Sequence, residues 1–409
     1  MLFKSAKIVI LQLISILLMS FSVNANADTH SVASPHQYDV IIIGAGAAGL
    51  SAAQELYRHN IKNVLVIEAR NRIGGRVWTI SPWGAPTDMG ASWIHRINHN
   101  PLAEFAQKNN IDTVTTTYSL GNPFNKFSSF DLYDAAGNKI NSQEMESTLQ
   151  LLKKFINDIS QNKWHLKNNA SVKDGAIAFI KQENLQGKNL QLFNFILKDM
   201  IENDMAADLN QIPLAVMTEG EGGKHTSGLD AIPKGGYIRL FSEFAKNLSI
   251  SLNNPVTAIS YDKQGVTVVT KKAVYHSRYA VVTLPIGVLQ AGTVQFSPEL
   301  PKDKLIAIKH LRMGLLNKIY VLFDKPFWDQ DIEWISLLPT KEKPNAHYEA
   351  LNLYKFFKQP ILLFFSAGSF SDETEGWSDN KIIANVMHEL KVIYGNNIPS
   401  PSASFYIFI

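Results

Sequence analysis

The chain has no cysteine among its 409 residues. This absence excludes disulfide bonds, a thiolate nucleophile, a cysteine-ligated metal and a flavin tethered through a cysteine sulfur. The 11 histidines show no spacing typical of metal ligands, so the sequence predicts no metal site. Stability must therefore come from the hydrophobic core, and any chemistry must use side chains other than thiols.

A strong charge bias is also missing. The formal net charge is only +3, and no dense block of lysine and arginine occurs, so nothing indicates a nucleic-acid partner. Low-complexity tracts are absent and 45% of the residues are hydrophobic, which excludes a disordered, collagen-like or coiled-coil chain. The length exceeds that of one compact core, so two domains are expected.

The first 27 residues resemble a secretory signal peptide. Lys4 and Lys7 form a basic start, and residues 8–23 are almost wholly apolar before the small-x-small pattern Ala25-Asn26-Ala27. An uncleaved membrane anchor is the alternative, but this apolar run is short for a span of roughly 20 residues. We therefore expect cleavage, export to the periplasm or the medium, and no stable membrane anchor afterwards.

A glycine-rich fingerprint lies near the start of the predicted mature chain. Residues 38–43 and 64–67 are short β-branched runs that predict two buried parallel strands around a helix, a βαβ unit of about 30 residues. The fingerprint Gly44-x-Gly46-x-x-Gly49 lies between the first strand and the helix. Its glycines are expected to permit the turn, the approach of a pyrophosphate and close packing of helix on strand, in that order. The pattern predicts a dinucleotide whose phosphates lie at the helix N-terminus.

A second glycine-rich stretch begins at Glu68, which closes the second strand. Its carboxylate can accept the hydroxyls of an adenosine ribose. Arg76 follows the pair Gly74-Gly75 and offers a guanidinium to phosphate oxygens. The fingerprint alone does not separate NAD from FAD, whereas this second stretch favours FAD. Without a cysteine to form a tether, we expect the FAD to be bound non-covalently.

The rest of the chain predicts a mixed α/β fold. Helical patterns dominate residues 100–219, for example 145–159 and 190–205. Core packing is the favoured role of Trp93, Trp328 and Trp334, and lining a substrate tunnel is the alternative. The later predicted elements are strands at 256–260, 266–270, 280–284, 318–323 and 361–366 and a helix at 379–394, capped by Ser378 and stopped by Gly395.

Several separated motifs resemble those of the flavin-dependent amine oxidase family, above all its polyamine oxidase branch. The resemblance covers roughly residues 38–398. Besides the two glycine-rich stretches, the motifs are Asp88-Met-Gly-Ala-Ser-Trp-Ile-His95, Lys234-Gly-Gly-Tyr237, Val281-Val-Thr-Leu-Pro-Ile-Gly-Val-Leu289, Phe296-Ser-Pro298, Gly314-Leu-Leu-Asn-Lys-Ile319 and Phe327-Trp328-Asp329.

The resemblance implies that a small-molecule amine, polyamines included, is oxidised by hydride transfer to FAD, giving an imine or aldehyde, while O2 becomes hydrogen peroxide. It implies that Lys318 and His95 are catalytic. Lys318 starts an apolar strand, where an ammonium is costly unless it meets a site or a partner. A histidine can steer a cation or move a proton. The residues implied to bind the cofactor are Gly44, Gly46, Ala48, Gly49, Glu68, Ala69, Arg70, Gly75, Arg76, Gly90, Ala91, Ser92 and Val256.

The resemblance also implies a discontinuous domain arrangement. A Rossmann-like FAD-binding domain with a parallel sheet is expected over residues 38–98 and 226–310. A substrate-binding domain of mixed sheet and helices is expected over residues 99–225 and 311–409.

The C-terminal sequence departs from the family pattern. The resemblance fades near Pro399, and five apolar residues, Phe405-Tyr-Ile-Phe-Ile409, form the end, as a core strand would. The resemblance implies that relatives continue with a segment that closes the flavin-ring side of the site, so we expect a truncated or frameshifted product whose activity is impaired or lost. Two alternatives stay open: an inactive remnant that binds FAD weakly at most, and a flavin desaturase, which fits the Leu-Asn-Lys and Phe-Trp-Asp motifs poorly.

Overall fold

The computed structural model describes residues 37–117, 123–218, 226–340 and 348–408. The signal peptide predicted at residues 1–27 lies outside the described residues. Within them, no helix combines the length and the apolarity needed to cross a membrane.

The strands fall into two large sheets and two short ribbons. In chain order they are β1 (Gln37–Ile43), β2 (Val64–Ile67), β3 (Thr79–Ile80), β4 (Thr87–Asp88), β5 (Thr113–Thr116), β6 (Phe130–Tyr133), β7 (Asp230–Pro233), β8 (Ser249–Ser251), β9 (Val256–Tyr261), β10 (Val266–Thr270), β11 (Val274–Val282), β12 (Gln295–Ser297), β13 (Leu316–Leu322), β14 (Trp334–Leu337), β15 (Glu349–Asn352), β16 (Ile361–Ala367) and β17 (Ala403–Phe408).

The helices carry the remaining regular structure. They are α1 (Ala47–Arg58), α2 (Pro101–Lys108), α3 (Ser142–Ser160), α4 (Val172–Glu183), α5 (Gly187–Leu197), α6 (Asn203–Met205), α7 (Ile238–Ala245), α8 (Ile286–Gln290), α9 (Lys302–His310), α10 (Leu353–Phe357), α11 (Gly368–Glu375) and α12 (Asp379–Tyr394). A π-helical turn, Lys198–Glu202, joins α5 to α6, and two 3₁₀ turns cover Pro123–Ser129 and Leu214–Met217.

The first sheet has seven strands in the order β12-β9-β10-β11-β1-β2-β8. Strands β11, β1, β2 and β8 run parallel, and the buried β-branched side chains of β1 and β2 form their core. Helix α1 covers this core with Leu50 and Ala53. The parallel sheet expected from the sequence is therefore only part of the sheet, because the short connections between β9, β10 and β11 force antiparallel pairing.

The second sheet has six strands in the order β17-β13-β16-β15-β14-β6, all antiparallel neighbours except β14 and β6. Helix α12 packs against one face through Ile382, Val386 and Leu390. The apolar C-terminal run forms β17, which pairs with β13 as the outermost strand. A separate helical core lies beside the sheet, where the rings of Phe155, Phe179 and Phe193 contact one another.

These elements confirm the mixed α/β fold and most of the predicted segments. Helix α12 begins and ends where the sequence predicts, although the Ser378 side chain makes no capping hydrogen bond. The helix predicted at 190–205 is wrong in detail, because the chain passes from α-helical to π-helical geometry at Lys198. The sequence also failed to predict β6, β14 and β15, three short strands that complete the second sheet.

Candidate active site

The three glycines of the fingerprint loop between β1 and α1 have different surroundings. Gly44 has φ +107°, and a Cβ there would lie 2.6 Å from Thr283 Oγ1. A Cβ at Gly49 would lie 1.9 Å from the carbonyl oxygen of Gly44, so only glycine lets the helix pack this closely. At Gly46, by contrast, an added Cβ meets nothing nearer than 3.8 Å. The open space of the loop is therefore at Gly46.

This open space fits a dinucleotide phosphate. Gly46 is the N-cap of the twelve-residue helix α1 and supplies no side-chain cap. The first amide groups of a helix have no partner within it and attract anions, so the uncapped end suits a pyrophosphate. Ala48 lies exposed in the first turn of α1, beside that end.

Glu68 fixes the position of the fingerprint loop. Its two carboxylate oxygens accept the backbone N–H groups of Ala45, at 2.8 Å, and Arg70, at 2.9 Å. A carboxylate offers about four lone-pair sites, so acceptor capacity for ribose hydroxyls remains. The backbone N–H of Asn254 donates to the Glu68 carbonyl oxygen at 2.9 Å, so the segment that leads into Val256, at the start of β9, contacts the backbone of Glu68.

The second glycine-rich stretch connects this loop to the rest of the site. Gly74 donates its N–H to the Ala45 carbonyl at 2.8 Å, and Gly75 adopts φ +61°. The Arg76 carbonyl then accepts the N–H of Ala91 at 3.2 Å. A Cβ at Gly90 would lie 1.8 Å from that carbonyl oxygen, so the two backbone segments are in direct contact.

Three of the residues predicted to bind the cofactor are exposed to solvent. Ala69, Arg70 and Arg76 are all exposed, and the Arg76 guanidinium lies 3.9 Å from Met313 Sδ. Arg72, which the sequence did not single out, braces the stretch from within by donating to the Gly75 carbonyl at 2.9 Å. The exposed guanidinium groups are thus available to phosphate oxygens.

Lys318 lies on β13 with only 2% of its surface exposed. Its ammonium donates to the carbonyl oxygens of Asp88, at 3.0 Å, and Gly90, at 2.6 Å, and to Ser92 Oγ, at 2.6 Å. All three acceptors are neutral, so none of these hydrogen bonds pairs the Lys318 ammonium with a carboxylate. Burial accordingly lowers the pKa of Lys318 to about 8, and the more distant Asp88 carboxylate only partly opposes this.

His95 is held by a buried carboxylate. Its Nδ1 lies 2.6 Å from Asp230 Oδ2, while the other oxygen of Asp230 accepts the Arg96 N–H at 2.7 Å. Asp230 is fully buried at the start of β7, whereas 44% of the His95 side chain is exposed. A carboxylate on Nδ1 leaves Nε2 as the nitrogen that can face a ligand.

A cavity of about 280 Å³ joins these groups. Two aromatic side chains on its wall, Trp93 and Trp334, stack with ring centroids 6.2 Å apart, and Phe365 lies beside both. Trp93 and Trp334 thus line the cavity, the alternative left open for them, while they also pack in a core cluster; Trp328 packs in the core. The lining residues are Gly90, Ala91, Ser92, Trp93, His95, Lys126, Asn203, Asp204, Leu316, Lys318, Trp334, Glu349 and Phe365.

The cavity includes charged residues that sequence reasoning missed. Lys126 forms buried ion pairs with Asp199, at 2.9 Å, and with Glu349. No local sequence pattern marked these residues: Glu349 begins β15, a short strand that the sequence did not predict and whose four members are all buried. The cavity thus brings together five of the predicted residues and a further charged group, while the fingerprint glycines, Glu68 and Arg76 lie outside its lining and connect to it through the contact of residues 76 and 91. The five are Gly90, Ala91, Ser92, His95 and Lys318.

Comparisons with known proteins agree with this arrangement. Residues 47–405 match the family model described as flavin containing amine oxidoreductase. The chain is 31% identical over 374 residues to probable polyamine oxidase 4 of Arabidopsis thaliana, covering 90% of this chain and 73% of that protein. It is 27% identical over 386 residues to lysine-specific histone demethylase 2 of Homo sapiens, covering 90% of this chain and 45% of that protein.

A solved structure shares the fold. Wild-type putrescine oxidase bound to putrescine matches with a TM-score of 0.71 and 20% identity, over 90% of this chain and 84% of that chain. At this level of identity the likeness concerns the fold alone.

Proposed function

The chain belongs to the flavin-containing amine oxidoreductase family, and we propose that it binds FAD non-covalently and oxidises small aliphatic amines, polyamines among them, with O2 as the electron acceptor. The observation that carries the proposal is Lys318, a buried lysine held by the loop that also contacts the glycine-rich stretches. The loop of residues 88–92 therefore connects a dinucleotide cradle, formed by the glycine-rich stretches, to a basic group in a cavity.

The residues of the two glycine-rich stretches would hold FAD by its diphosphate and by its adenosine ribose. The uncapped end of α1 at Gly46 and the exposed guanidinium of Arg76 suit the diphosphate, and Glu68 suits the adenosine ribose. No cysteine is available for a thioether link, which supports non-covalent binding. When bound, the flavin supplies a two-electron acceptor for the carbon–nitrogen bond of the amine, with electrons passed on to O2 and hydrogen peroxide released.

Lys318 would hold and release a proton close to the reacting groups. Because burial lowers its pKa to about 8, a large fraction of the side chain is neutral in mildly alkaline solution. A neutral amine can accept a proton, directly or through a water molecule. Its contacts with Gly90 and Ser92 keep the nitrogen at the edge of the cavity rather than in bulk solvent.

His95 would orient the substrate at the cavity mouth. Asp230 holds the ring through Nδ1, so its orientation is fixed although the side chain is half-exposed. The resulting Asp–His pair carries negative charge when the ring is neutral, which favours the approach of a cationic amine. The stacked rings of Trp93 and Trp334 supply an apolar wall that suits the alkyl part of such a substrate.

Export is part of the same proposal. The basic, apolar and small-x-small segments of residues 1–27 support a signal peptide, and the oxidase would then act outside the cytoplasm. The N-terminal residue of protein recovered from the periplasm or the medium tests this: a start at Asp28 is expected, and an intact residue 1 would contradict it.

An absorbance spectrum combined with a peroxide assay tests the enzymatic proposal. Purified protein should carry flavin that is released on denaturation, and peroxide should form when amines are added. Amino acids serve as the control substrates, because their carboxylate conflicts with the negative Asp–His pair. Protein that binds no flavin, or that releases no peroxide with any monoamine, diamine or polyamine, would overturn the proposal.

A further inference from the structure

The buried ammonium of Lys318 has one hydrogen-bond acceptor for each of its protons. A lysine ammonium carries three N–H groups. Among the described residues, three acceptors take them: the Asp88 carbonyl at 3.0 Å, the Gly90 carbonyl at 2.6 Å and Ser92 Oγ at 2.6 Å. The charged side chain therefore has no further N–H group to offer directly to a molecule in the cavity.

Two aromatic rings that line the cavity lie close to the ammonium. The nitrogen is 5.9 Å from the centroid of the Trp93 ring and 5.6 Å from that of the Phe365 ring. These distances suit cation–π contacts, which stabilise the charge. The π face of a ring neither takes up nor releases a proton, so these contacts give the Lys318 proton no path into the cavity.

The three acceptors differ in what they can do with a proton. The acceptors of Asp88 and Gly90 are backbone carbonyl oxygens, which accept hydrogen bonds but cannot donate them. The Ser92 hydroxyl has one O–H donor and two acceptor lone pairs, so it can accept from the lysine and donate elsewhere at the same time. Of the three groups, only the Ser92 hydroxyl can also return a proton to Lys318 once the amine is neutral.

Ser92 also lies where it can pass the proton on. The residue is 6% exposed and lines the cavity together with Lys318. Its hydroxyl donates to the Gly90 carbonyl at 3.4 Å, which is long for an O–H···O bond. The same carbonyl already accepts the much shorter bond from Lys318. The Ser92 hydroxyl proton can therefore turn to an acceptor in the cavity with little loss of hydrogen bonding.

We propose that Ser92 is the proton-relay residue of Lys318. In the relay step a proton leaves Lys318 Nζ and bonds to Ser92 Oγ. At the same time the original O–H bond of Ser92 breaks, and its proton bonds to a water oxygen or an amine nitrogen in the cavity. Lys318 becomes neutral, the reverse step recharges it, and no electrons are transferred. The use of the relay in catalysis rests on the proposed amine oxidation, whereas the proton path itself does not.

Hydrogen exchange of the Lys318 ammonium tests the path without any amine. Protein with isotope-labelled lysine nitrogens is moved into heavy water well below the pKa of Lys318, which burial lowers to about 8. Comparison with Lys318→Met identifies the Lys318 signal by magnetic resonance. Ser92→Thr and Ser92→Val have side chains of the same shape, and only threonine keeps the hydroxyl. We expect exchange in Ser92→Val to be at least about tenfold slower than in Ser92→Thr and in the wild type.

Equal exchange rates in Ser92→Thr and Ser92→Val would overturn the inference, because the proton would then leave by opening of the loop or by a direct path. Should Ser92→Val not fold, Ser92→Ala takes its place. Slower exchange than in the wild type then supports the relay, and equal or faster exchange contradicts it.

Ser336→Val is the matched control. Ser336 on β14 is 2% exposed, donates from Oγ to the Tyr348 carbonyl at 2.9 Å and does not line the cavity. Its substitution removes a buried hydroxyl from the same sheet, so exchange at Lys318 should stay at the wild-type rate. A slowing as large as that in Ser92→Val would show a general effect of buried hydroxyl loss and would contradict the relay.

Steady-state kinetics separates the relay from the proposed function. Ser92→Val should lower kcat/KM for amines about ten- to hundred-fold, and Ser92→Thr no more than about threefold. The solvent isotope effect on kcat/KM should be larger in the wild type and in Ser92→Thr, where two protons move in one step. Equal kcat/KM values in the two variants would overturn the catalytic use of the relay. If the wild-type protein oxidises no amine, the proposed function fails, and hydrogen exchange still decides whether Ser92 carries the proton.

Discussion

The glycine-rich end of the site and its lysine end differ in the groups that line them. Around Gly46 the surface consists of backbone amides and Cα atoms, and specificity depends on the absence of side chains. Around Lys318 the surface consists of buried charged and aromatic side chains. The first end suits a ligand of fixed shape and charge, and the second suits a proton transfer and the recognition of a cation.

The two ends also differ in how the chain assembles them. The fingerprint and the stretch up to Arg76 are close in sequence, and local backbone bonds such as Gly74 to Ala45 join them. Lys318 reaches the Gly90 carbonyl across 228 residues of sequence. The hydrogen bond between the Ala91 N–H and the Arg76 carbonyl links the two ends. Substitutions at one end therefore test whether flavin binding and catalytic activity depend on each other.

Substitution of Lys318 should have the largest effect. We expect Lys318→Met to lower kcat/KM for amines by about 10² to 10⁴, the usual range for a lost acid–base group. Flavin content should stay at the wild-type level, because the hydrogen bonds of the lysine go to Asp88, Gly90 and Ser92 and not to the fingerprint loop or Glu68. Steady-state kinetics and a flavin spectrum check both parts. Loss of the flavin with the activity would show that the two ends are not separate.

Substitution of Gly49 should damage the other end. In Gly49→Ala the new Cβ would lie 1.9 Å from the Gly44 carbonyl oxygen, so helix α1 must move away from β1. We expect a loss of stability of about 1–3 kcal/mol from such overpacking, together with weaker flavin binding. Denaturant unfolding and flavin retention measure the two effects.

Gly287→Ala is the control for that substitution. A Cβ at Gly287 in α8 meets nothing within 4 Å, so stability should be unchanged or slightly higher. Equal losses of stability in the two variants would contradict the steric role of Gly49.

The pH dependence of activity should report the lysine end alone. Burial lowers the pKa of Lys318 to about 8, so the neutral form predominates above that pH and the charged form below it. If the neutral amine accepts the proton, kcat/KM should rise with pH and level off above about 8, falling about tenfold per unit below it. Lys318→Met should lack this limb of the profile. A limb that persists unchanged in the variant would assign it to another group.

The smallest effect is expected at Asp230. Asp230→Asn keeps the size of the side chain but weakens its bond to His95 Nδ1, and the imidazole is partly exposed to solvent. A loss of about three- to tenfold in kcat/KM is expected, the worth of one ordinary hydrogen bond. Steady-state kinetics measures the loss, and an unchanged kcat/KM in Asp230→Asn would contradict the role given to the Asp230 carboxylate.

The sequence predicted the glycine-rich end in more detail than the lysine end, and the physical reason lies in the residues themselves. Gly44, Gly46 and Gly49 lie within six residues of one another and Gly49 packs directly on Gly44, so their spacing carries the information. The position of Glu68 in the cofactor site could be predicted because this residue follows the second strand of the βαβ unit, beside the same loop. Lys318 stood out as a charge in an apolar strand, and the resemblance of its Leu-Asn-Lys motif gave it a role.

The remaining groups could not be found in this way. Lys126, Asp199 and Glu349 lie on a 3₁₀ turn, a π-helical turn and a short strand that have no local pattern in common. Their proximity depends on the register of β15 against β16 and on the packing of the helical core against that sheet. A strand register shifted by one residue would turn Glu349 to the other face, and no spacing rule along the chain specifies it.

The account depends most on the claim that Lys318 acts in amine oxidation while the glycine-rich end holds the flavin independently. Anaerobic mixing with putrescine, followed by the visible absorbance of the bound flavin, tests it directly. The account predicts that wild-type protein and Lys318→Met carry equal flavin, and that the amine bleaches it at least about 100-fold more slowly in the variant. Equal bleaching rates, or a variant that no longer binds flavin, would contradict it.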